Sequence, residues 1–314
     1  MTANRRREIA AFLVCTFASV WAAPSLAGNA VPLEHGKDIT AANTGPAAAG
    51  YRGLKAFAGG EIRDGKPYAF AREISASAHY DDFLVTGPHL LIEGAAFSST
   101  LDIYTAKPVV LRGVSVRPDA ARPAAILTRP SAGPVYVLWS DIGGTDARNR
   151  GLAVGAGLAL RASNAVVYRS RVSQTGDGID ISGSNIRIEE TLIDALTAFD
   201  GDHNDAVQLM GAPQNITIAR NKILNSNPQT SCLYLLGGTI DVASNYLAGG
   251  GWTIYGGAKN NGHGGIAASN VRVTGTIFGR DYFAKSGGFG PVSYWDKTNT
   301  RSNNRFSDGA AIVP

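Results

Sequence analysis

The chain has 314 residues, a formal net charge of +4 at pH 7 and 38 glycines, but only two cysteines. This near-balance of charge argues against a nucleic-acid partner, because nucleic-acid binding depends on a dense basic surface. A chain of this length can bury one continuous core, and its glycine content is typical of a protein rich in turns.

The first 27 residues have the pattern of a secretory signal peptide. Three arginines at positions 5–7 precede an apolar run at residues 9–23, and small residues stand just before a cleavage site after Ala27. The apolar run is too short to span a membrane comfortably. We therefore expect a secreted or periplasmic protein without a membrane span. Cys15 would leave with this peptide, and Cys232 is expected to be buried with no disulfide partner.

Residues 28–87 contain no clear repeat and are predicted to form an N-terminal cap together with the first strands. Residues 68–75 and 83–85 have a strand-like composition. A cap is needed because the first coil of a stacked solenoid would otherwise expose apolar surface and an unpaired backbone edge.

An eight-residue pattern then recurs eight times. Apolar residues occupy positions 1, 3 and 8, and a small or polar residue usually occupies position 6. The apolar–x–apolar triplet predicts a short strand with alternate side chains inward, and a bend at position 6 returns position 8 to the core. The copies are Leu90–Phe97, Val109–Val116, Val135–Ile142, Ala165–Val172, Ile186–Ile193, Ile216–Ile223, Ile240–Leu247 and Val271–Phe278.

No single copy can bury its apolar face alone, so the copies must stack. The pattern predicts an all-β protein, a single-stranded right-handed parallel β-helix over residues 88–281, followed by a C-terminal partial turn and cap at residues 282–314. Asn221 and Asn245 occupy position 6 of consecutive copies. We expect them to hydrogen-bond along the helix axis, in a purely structural role.

A second strand follows several copies and predicts which polar residues become neighbours. When the inward pairs of these strands are aligned, Asp180, Gln208 and Tyr234 fall in one outward column, and Asp177 falls beside Asp205. Adjacent coils lie about 4.8 Å apart. The aligned inward pairs are Ile179 with Ile181, Val207 with Leu209, and Leu233 with Leu235.

Residues 200–208 are the most chemically unusual stretch, with three carboxylates, an imidazole and an amide. Two carboxylates about 5 Å apart raise each other's proton affinity, so they can act as general acid and base or bind a hard cation. His203 can exchange a proton near neutral pH. The alternative is a polar loop whose Asp side chains cap backbone N–H groups.

The segment from His203 to Gln208 resembles the HNDxxQ signature of secreted bacterial right-handed β-helix proteins of the pectate-lyase-like superfamily. Residues 215–218 with Asn221, residues 42–46, residues 278–280 and residues 290–291 are similar to other hallmarks of that group. The resemblance spans most of the mature chain. It implies a β-helix fold and a sugar polymer lying along the helix groove, without implying a particular reaction.

Weaker signals have two interpretations each. His263 lies in a Gly-His-Gly triplet like that of polygalacturonase-type glycosidases, but the other motifs of those enzymes are absent, which favours a loop residue. Arg280 and Lys285 are candidates to neutralise a uronate carboxylate, or are solvated cations. The aromatic residues that either stack on sugar rings or fill loop packing are Tyr234, Trp252 and Tyr255.

The leading functional hypothesis is an enzyme that acts on an acidic polysaccharide by β-elimination. The reaction needs a group that neutralises the uronate, a base and an acid. The alternatives are a glycoside hydrolase, a uronate epimerase, or a non-catalytic glycan-binding or structural β-helix. We expect a monomer. The assigned catalytic residues are His203, Asp205, Asp177 and Asp180; the substrate contacts are Gln208, Asp202, Tyr234, Trp252 and Arg280; and calcium, if bound, would lie at Asp177, Asp180 and Asp205.

Overall fold

The computed structural model describes residues 33–146, 148–199, 202–256, 268–293, 295 and 297–312. The predicted signal peptide, Asp200 and the His263 triplet lie outside these residues. The described chain forms a parallel β-helix, which confirms the predicted fold class. Its only described helices are the one-turn Gly45–Ala48 and the 3-10 turns Gly36–Asp38 and Arg150–Leu152. None of the described helices has the length and hydropathy to cross a bilayer.

Each coil contributes one strand to each of three sheets. One sheet, called sheet A, contains position 8 of every repeat. The strands of sheet A pair in parallel along the whole solenoid. The described strands of sheet A are Lys55–Phe57, Ala95–Phe97, Ser115–Val116, Asp141–Gly143, Arg171–Ser173, Leu192–Asp194, Lys222–Asn225, Tyr246–Gly249, Ile277–Phe278 and Arg305–Phe306.

Sheet B contains the predicted second strands. It follows sheet A in each coil and is also parallel throughout its described length. Its described strands are Gly60–Ile62, Leu101–Ile103, Arg122–Thr128, Val154–Leu160, Asp177–Ile181, Val207–Leu209, Ser231–Tyr234, Trp252–Tyr255 and Gly290–Ser293.

Sheet C holds the apolar triplets of the repeats. Its first two strands pair antiparallel and the others pair in parallel. A separate hairpin joins Ala78–Tyr80 to Phe83–Val85. The described strands of sheet C are Ala71–Ile74, His89–Glu93, Val109–Arg112, Val135–Leu138, Ala165–Tyr168, Ile186–Glu189, Gln214–Ala219, Gly237–Ala243, Ala268–Thr274 and Thr300–Ser302.

The stacking extends into both predicted caps. At the start, Lys55–Phe57 and Gly60–Ile62 already pair with sheets A and B, and at the end 290–293, 300–302 and 305–306 add one more strand to each sheet. Backbone pairing does not require the full apolar pattern, so these coils have a weaker sequence signal. Phe70 packs edge-on against Phe97 at 5.2 Å between ring centroids and helps to close the N-terminal end of the core.

The bend between sheets C and A lies at position 5 of the repeat, one residue before the predicted position. Position 5 has a left-handed backbone in every copy, with φ from 45° at Arg169 to 62° at Gly94 and Gly275. The side chain at position 6 then satisfies backbone groups inside the bend. The Asn221 amide donates to Asn245 Oδ1 at 3.1 Å, and the Asn221 backbone N–H donates to the same oxygen at 2.8 Å. The expected asparagine ladder is therefore confirmed.

Residues 35–55 form a strap along the side of the solenoid. The strap runs from the last repeat copy back to the first, and it donates hydrogen bonds to backbone carbonyls of position-5 residues. These carbonyls lie at the bends, where coil-to-coil pairing leaves room for an outside donor. The four contacts are His35 Nε2 with Gly275 O at 2.9 Å, Gly36 N with Ser244 O at 2.8 Å, Gly45 N with Arg169 O at 2.8 Å, and Lys55 N with Gly94 O at 3.0 Å.

Replacing Gly36 with valine should detach the C-terminal-coil end of the strap. A Cβ at Gly36 would lie 1.9 Å from the Asn221 carbonyl oxygen and 2.6 Å from the Tyr246 nitrogen, both in rigid backbone. Loss of about two hydrogen bonds should lower the free energy of unfolding by roughly 2 kcal/mol. We expect a lower thermal midpoint and new proteolysis near residues 35–45, with unchanged far-ultraviolet circular dichroism. Lys37→Val, at an exposed neighbour, is the control. Equal midpoints for the two variants would contradict a docked strap.

Candidate functional site

A repeated bulge in sheet B determines which of its residues face outward. Gly178 and Ile179 are consecutive, yet both face the core: a Cβ at Gly178 would lie 2.8 Å from the core residue Ile193, and Ile179 is fully buried. Two consecutive inward residues shift the alternation by one, as β-bulges do. Asp177 and Asp180, three positions apart, therefore both face outward. The small inward residues that permit the bulge are Ala125, Gly157, Gly178, Ala206 and Cys232.

The outward residues of sheet B form two columns along the solenoid. Apolar residues precede the acidic residues, and aromatic residues follow them. The predicted order of Asp180, Gln208 and Tyr234 is confirmed by the strand register. The first column is Ala124, Ala156, Asp177, Asp205, Ser231 and Trp252, and the second is Leu127, Ala159, Asp180, Gln208, Tyr234 and Tyr255.

Asp177, Asp205 and Ser231 form a ladder from coil to coil. The backbone N–H of Asp205 donates to Asp177 Oδ1 at 2.7 Å, and the backbone N–H of Ser231 donates to Asp205 Oδ1 at 2.8 Å. The Ser231 hydroxyl also donates to Asp205 Oδ1. The predicted neighbourhood of Asp177 and Asp205 is thus confirmed, and both carboxyls cap backbone N–H groups, as the alternative interpretation proposed.

Asp205 is buried, with only 2% of its surface exposed. Burial raises its pKa to about 7, against the hydrogen bonds from Ser231, which favour the charged form. A carboxyl so enclosed contacts its own coil and the next one rather than a bound polymer. Its influence on a substrate would therefore pass through Asp180, whose proton affinity its charge increases.

Asp177 and Asp180 are half-buried and remain accessible from the outer face. Burial raises the pKa of Asp177 to about 6. Burial, followed by the charges of Asp177 and Asp205, raises the pKa of Asp180 to about 7, while the charge of Arg161 opposes this rise. Asp180 Oδ1 is itself buried and has no hydrogen-bond partner among the described residues. The half-exposed surface of the residue therefore lies elsewhere on the side chain, and the raised proton affinity gives Asp180 the character of a general acid that works near neutral pH.

His203 and Asp202 lie beside this pair, in the loop between sheets A and B. His203 is exposed, and its charge lowers the pKa of Asp177 against the larger effect of burial. Asp202 accepts a hydrogen bond from the Phe199 backbone at 3.1 Å and lines a small cavity with Phe199 and Thr197. The buried Asn204 amide fixes this loop by donating to the Thr197 carbonyl at 2.7 Å.

Arg280 is not brought to the acidic cluster. It lies in the loop that follows the Ile277–Phe278 strand, pairs with Asp308, and covers the Phe306 ring at 4.4 Å. That loop enters sheet B four coils beyond Asp180, about 19 Å along the axis. Lys285 lies in the same loop, where it forms a bridge with Gly287. Neither cation therefore faces a sugar bound at Asp180.

Aromatic side chains cover the part of sheet B beyond the acidic residues. Tyr234 is 6% exposed, while Trp252 and Tyr255 are half-buried. The Tyr234 and Tyr255 ring centroids lie 6.0 Å apart, and those of Trp252 and Phe289 lie 6.1 Å apart. The three aromatic residues singled out from the sequence thus share one outer face with the carboxyls.

The carboxyl set Asp177, Asp180 and Asp205 does not fit a calcium site. Calcium takes six to eight converging oxygen ligands. Among the described residues, no three His, Cys, Asp or Glu side chains are grouped so as to hold a metal ion. Asp205 Oδ1 is also engaged by two donors of Ser231. We therefore assign no chemical step to calcium.

Two residues near the cluster were missed by the sequence analysis. Ser231 could have been found, because it stands two positions before Leu233, as Asp205 stands before Val207. Arg161 follows the Val154–Leu160 strand; its side chain is exposed and makes no ion pair or side-chain hydrogen bond with any described residue. It lies close enough for its charge to act on Asp180.

The raised pKa of Asp180 should make the protein less stable as pH rises. The folded carboxyl binds a proton up to about pH 7 and the unfolded one only to about pH 4, so folding loses free energy across that window. The effect is on the order of 2 kcal/mol, or roughly 5 °C in thermal midpoint. We expect Asp180→Asn to narrow the difference between midpoints measured at about pH 5 and about pH 8. Asp241→Asn, on the outer face of sheet C, is the control and should leave the difference in thermal midpoint unchanged. If wild type and Asp180→Asn show the same difference in midpoint between the two pH values, the raised pKa of Asp180 is contradicted.

Comparisons with known proteins add no argument to those given above. No protein-family model matches the chain, and no curated protein matches it. A search of solved structures finds a likeness to the crystal structure of the Dettilon tailspike protein, with 11% sequence identity and a TM-score of 0.42. The match covers 71% of this chain and 54% of the tailspike chain, so this chain spans about half the length of that protein. A likeness of this size carries no argument about function.

Proposed function

We propose that this chain is a carbohydrate-active β-helix protein that binds a polysaccharide along the outer face of sheet B and cleaves it with Asp180 as the proton donor. One observation carries the proposal: Asp180 lies on the outer face of sheet B in the strand that also carries Asp177, is half-buried, and has a pKa raised to about 7. A glycosidic oxygen needs a proton as it departs. A carboxyl whose pKa is raised toward neutral pH can supply that proton.

Elimination on an acidic polysaccharide is the first candidate reaction. His203 would remove the C5 proton of a uronate ring, the electron pair would form the C4–C5 double bond, and Asp180 would protonate the departing C4 oxygen. The exposure of His203 and its position close to Asp177 support its role as the base. Arg161, which is exposed and has no ion-pair partner among the residues that the structure describes, supports binding of the uronate carboxylate, because its charge reaches Asp180.

Hydrolysis is the second candidate and is favoured by the pair of outward carboxyls on one strand. The hydrogen bond from the Asp205 backbone and the charge of His203 favour an ionised Asp177, whereas the charges of Asp177 and Asp205 favour a protonated Asp180; this is the division of roles that hydrolysis needs. Asp177 would activate a water molecule or attack the sugar, and Asp180 would protonate the leaving oxygen. Action outside the cytoplasm is part of the same proposal and rests on the pattern of residues 1–27.

The proposal is tested by digestion of a panel of uronate polymers and neutral polysaccharides. Elimination yields the ultraviolet absorbance of a new conjugated double bond, and hydrolysis yields reducing ends without it. Asp180→Asn should lower kcat at least about 100-fold on the cleaved polymer, because it removes the acid. Asp241→Asn, which removes a carboxylate paired with Arg272 in sheet C, should leave kcat unchanged.

Two results would contradict the proposal. One is full activity of Asp180→Asn. The other is that the wild type cleaves none of the polymers. In that case, retardation of the protein by one polymer in affinity electrophoresis would indicate a binding module. A change in the sugar composition of a polymer without cleavage would indicate an epimerase.

A further inference from the structure

Phe289 is the most exposed large hydrophobic side chain of the described residues, with 61% of its surface exposed. It ends the loop 279–289, which joins the sheet A strand Ile277–Phe278 to the sheet B strand Gly290–Ser293. An exposed aromatic ring forgoes the free energy of burial, about 25 cal/mol for each Å² of apolar surface. A single exposed ring is common, but Phe289 lies next to the Trp252 ring, and contiguous exposed apolar surface marks binding sites.

The loop that presents Phe289 is firmly anchored. Ser286 is fully buried, has a left-handed backbone with φ 73°, and its hydroxyl lies 2.8 Å from the Thr253 hydroxyl. The backbone N–H groups of Gly288 and Phe289 donate to the carbonyls of Gly250 and Gly251 at 2.9 Å and 2.7 Å. These contacts hold the loop, and with it the Phe289 ring, in place.

Gly290 lets the Trp252 ring lie against the backbone next to Phe289. A Cβ at Gly290 would lie 2.5 Å from Trp252 Cζ3, so a larger residue would displace the indole. The Trp252 and Phe289 ring centroids lie 6.1 Å apart with an interplanar angle of 41°. The two rings thus form one apolar platform.

The platform continues the outer face that carries the acidic cluster. Trp252 follows Ser231 in the first column, and Ser231 follows Asp205, so the platform begins two coils beyond Asp205 and three coils, or about 14 Å, beyond Asp177 and Asp180. A polymer lying along this face would cover both. Aromatic rings bind the C–H faces of pyranose rings by stacking, which requires no charge on the sugar.

We propose that Trp252 and Phe289 form a glycan-docking platform that stacks on pyranose rings and holds the polymer separately from the cleavage centre at Asp180. This inference rests on the proposed function and adds a dependence on chain length. A short oligosaccharide bound at Asp180 does not reach the platform, whereas a polymer does. The platform therefore contributes to binding and leaves the chemical step unchanged.

The test is Phe289→Ala in the full protein, assayed on the polymer that the digestion panel identifies and on its di- and trisaccharides. Loss of one stacking ring should raise KM for the polymer roughly 3- to 10-fold with kcat unchanged, and leave the short substrates unaffected. Leu84→Ala, at another exposed hydrophobic residue in the hairpin Ala78–Val85, is the matched control and should have no effect. An unchanged KM for the polymer would overturn the inference while the proposed function stands.

Binding is measured separately from cleavage, in affinity gels that contain each polymer of the panel. Asp180→Asn should be retarded by the substrate polymer, and the double variant with Phe289→Ala should be retarded less. Equal retardation of the two would overturn the platform. A wild type that neither cleaves nor binds any polymer would overturn the proposed function, and the platform with it. A change of oligomeric state in Phe289→Ala by size-exclusion chromatography would show instead that the rings bind a second copy of the chain.

Discussion

Backbone pairing from each coil to the next is the interaction on which the structure depends. It holds successive strands about 4.8 Å apart and in fixed register over all three sheets. Residues 28 positions apart therefore come into direct contact, as the hydrogen bond between Asp205 and Asp177 shows. The left-handed residue at position 5 gives every repeat copy the same bend, and polar residues at position 6 form a ladder in the later copies, so the register persists from one repeat to the next.

The candidate site is a consequence of this register combined with the bulge in sheet B. The bulge turns Asp177 and Asp180 to the same side, and stacking places them over the buried Asp205. Burial then raises the pKa of each carboxyl, and the charge of Asp177 adds to the rise at Asp180 and Asp205. The same effects oppose folding at neutral pH, which is the usual relation between an active site and stability. The fully paired coils above and below hold the acidic residues in place.

The sequence was sufficient for the fold and for the columns because both follow from a repeated pattern. Ile179, Val207 and Leu233 align by their apolar spacing alone, which fixes the position of Asp180, Gln208 and Tyr234. The bulge could not be predicted from the sequence, because the spacing of apolar residues does not show which of two adjacent small or apolar residues faces inward. The strap and the pairing of Arg280 with Asp308 were also missed, because both join non-repeating segments.

The most direct test of the account is an engineered disulfide between adjacent coils. Asp177→Cys and Asp205→Cys, introduced together, would lie about 5 Å apart at Cα, within the range that a disulfide spans. We expect this pair to close under mild oxidation, with a mass loss of two hydrogens and no loss of β structure. Asp177→Cys with Ser231→Cys, two coils apart at about 10 Å, should remain reduced. Failure of the first pair to close, or closure of the second as readily, would contradict the register from which the candidate site is built.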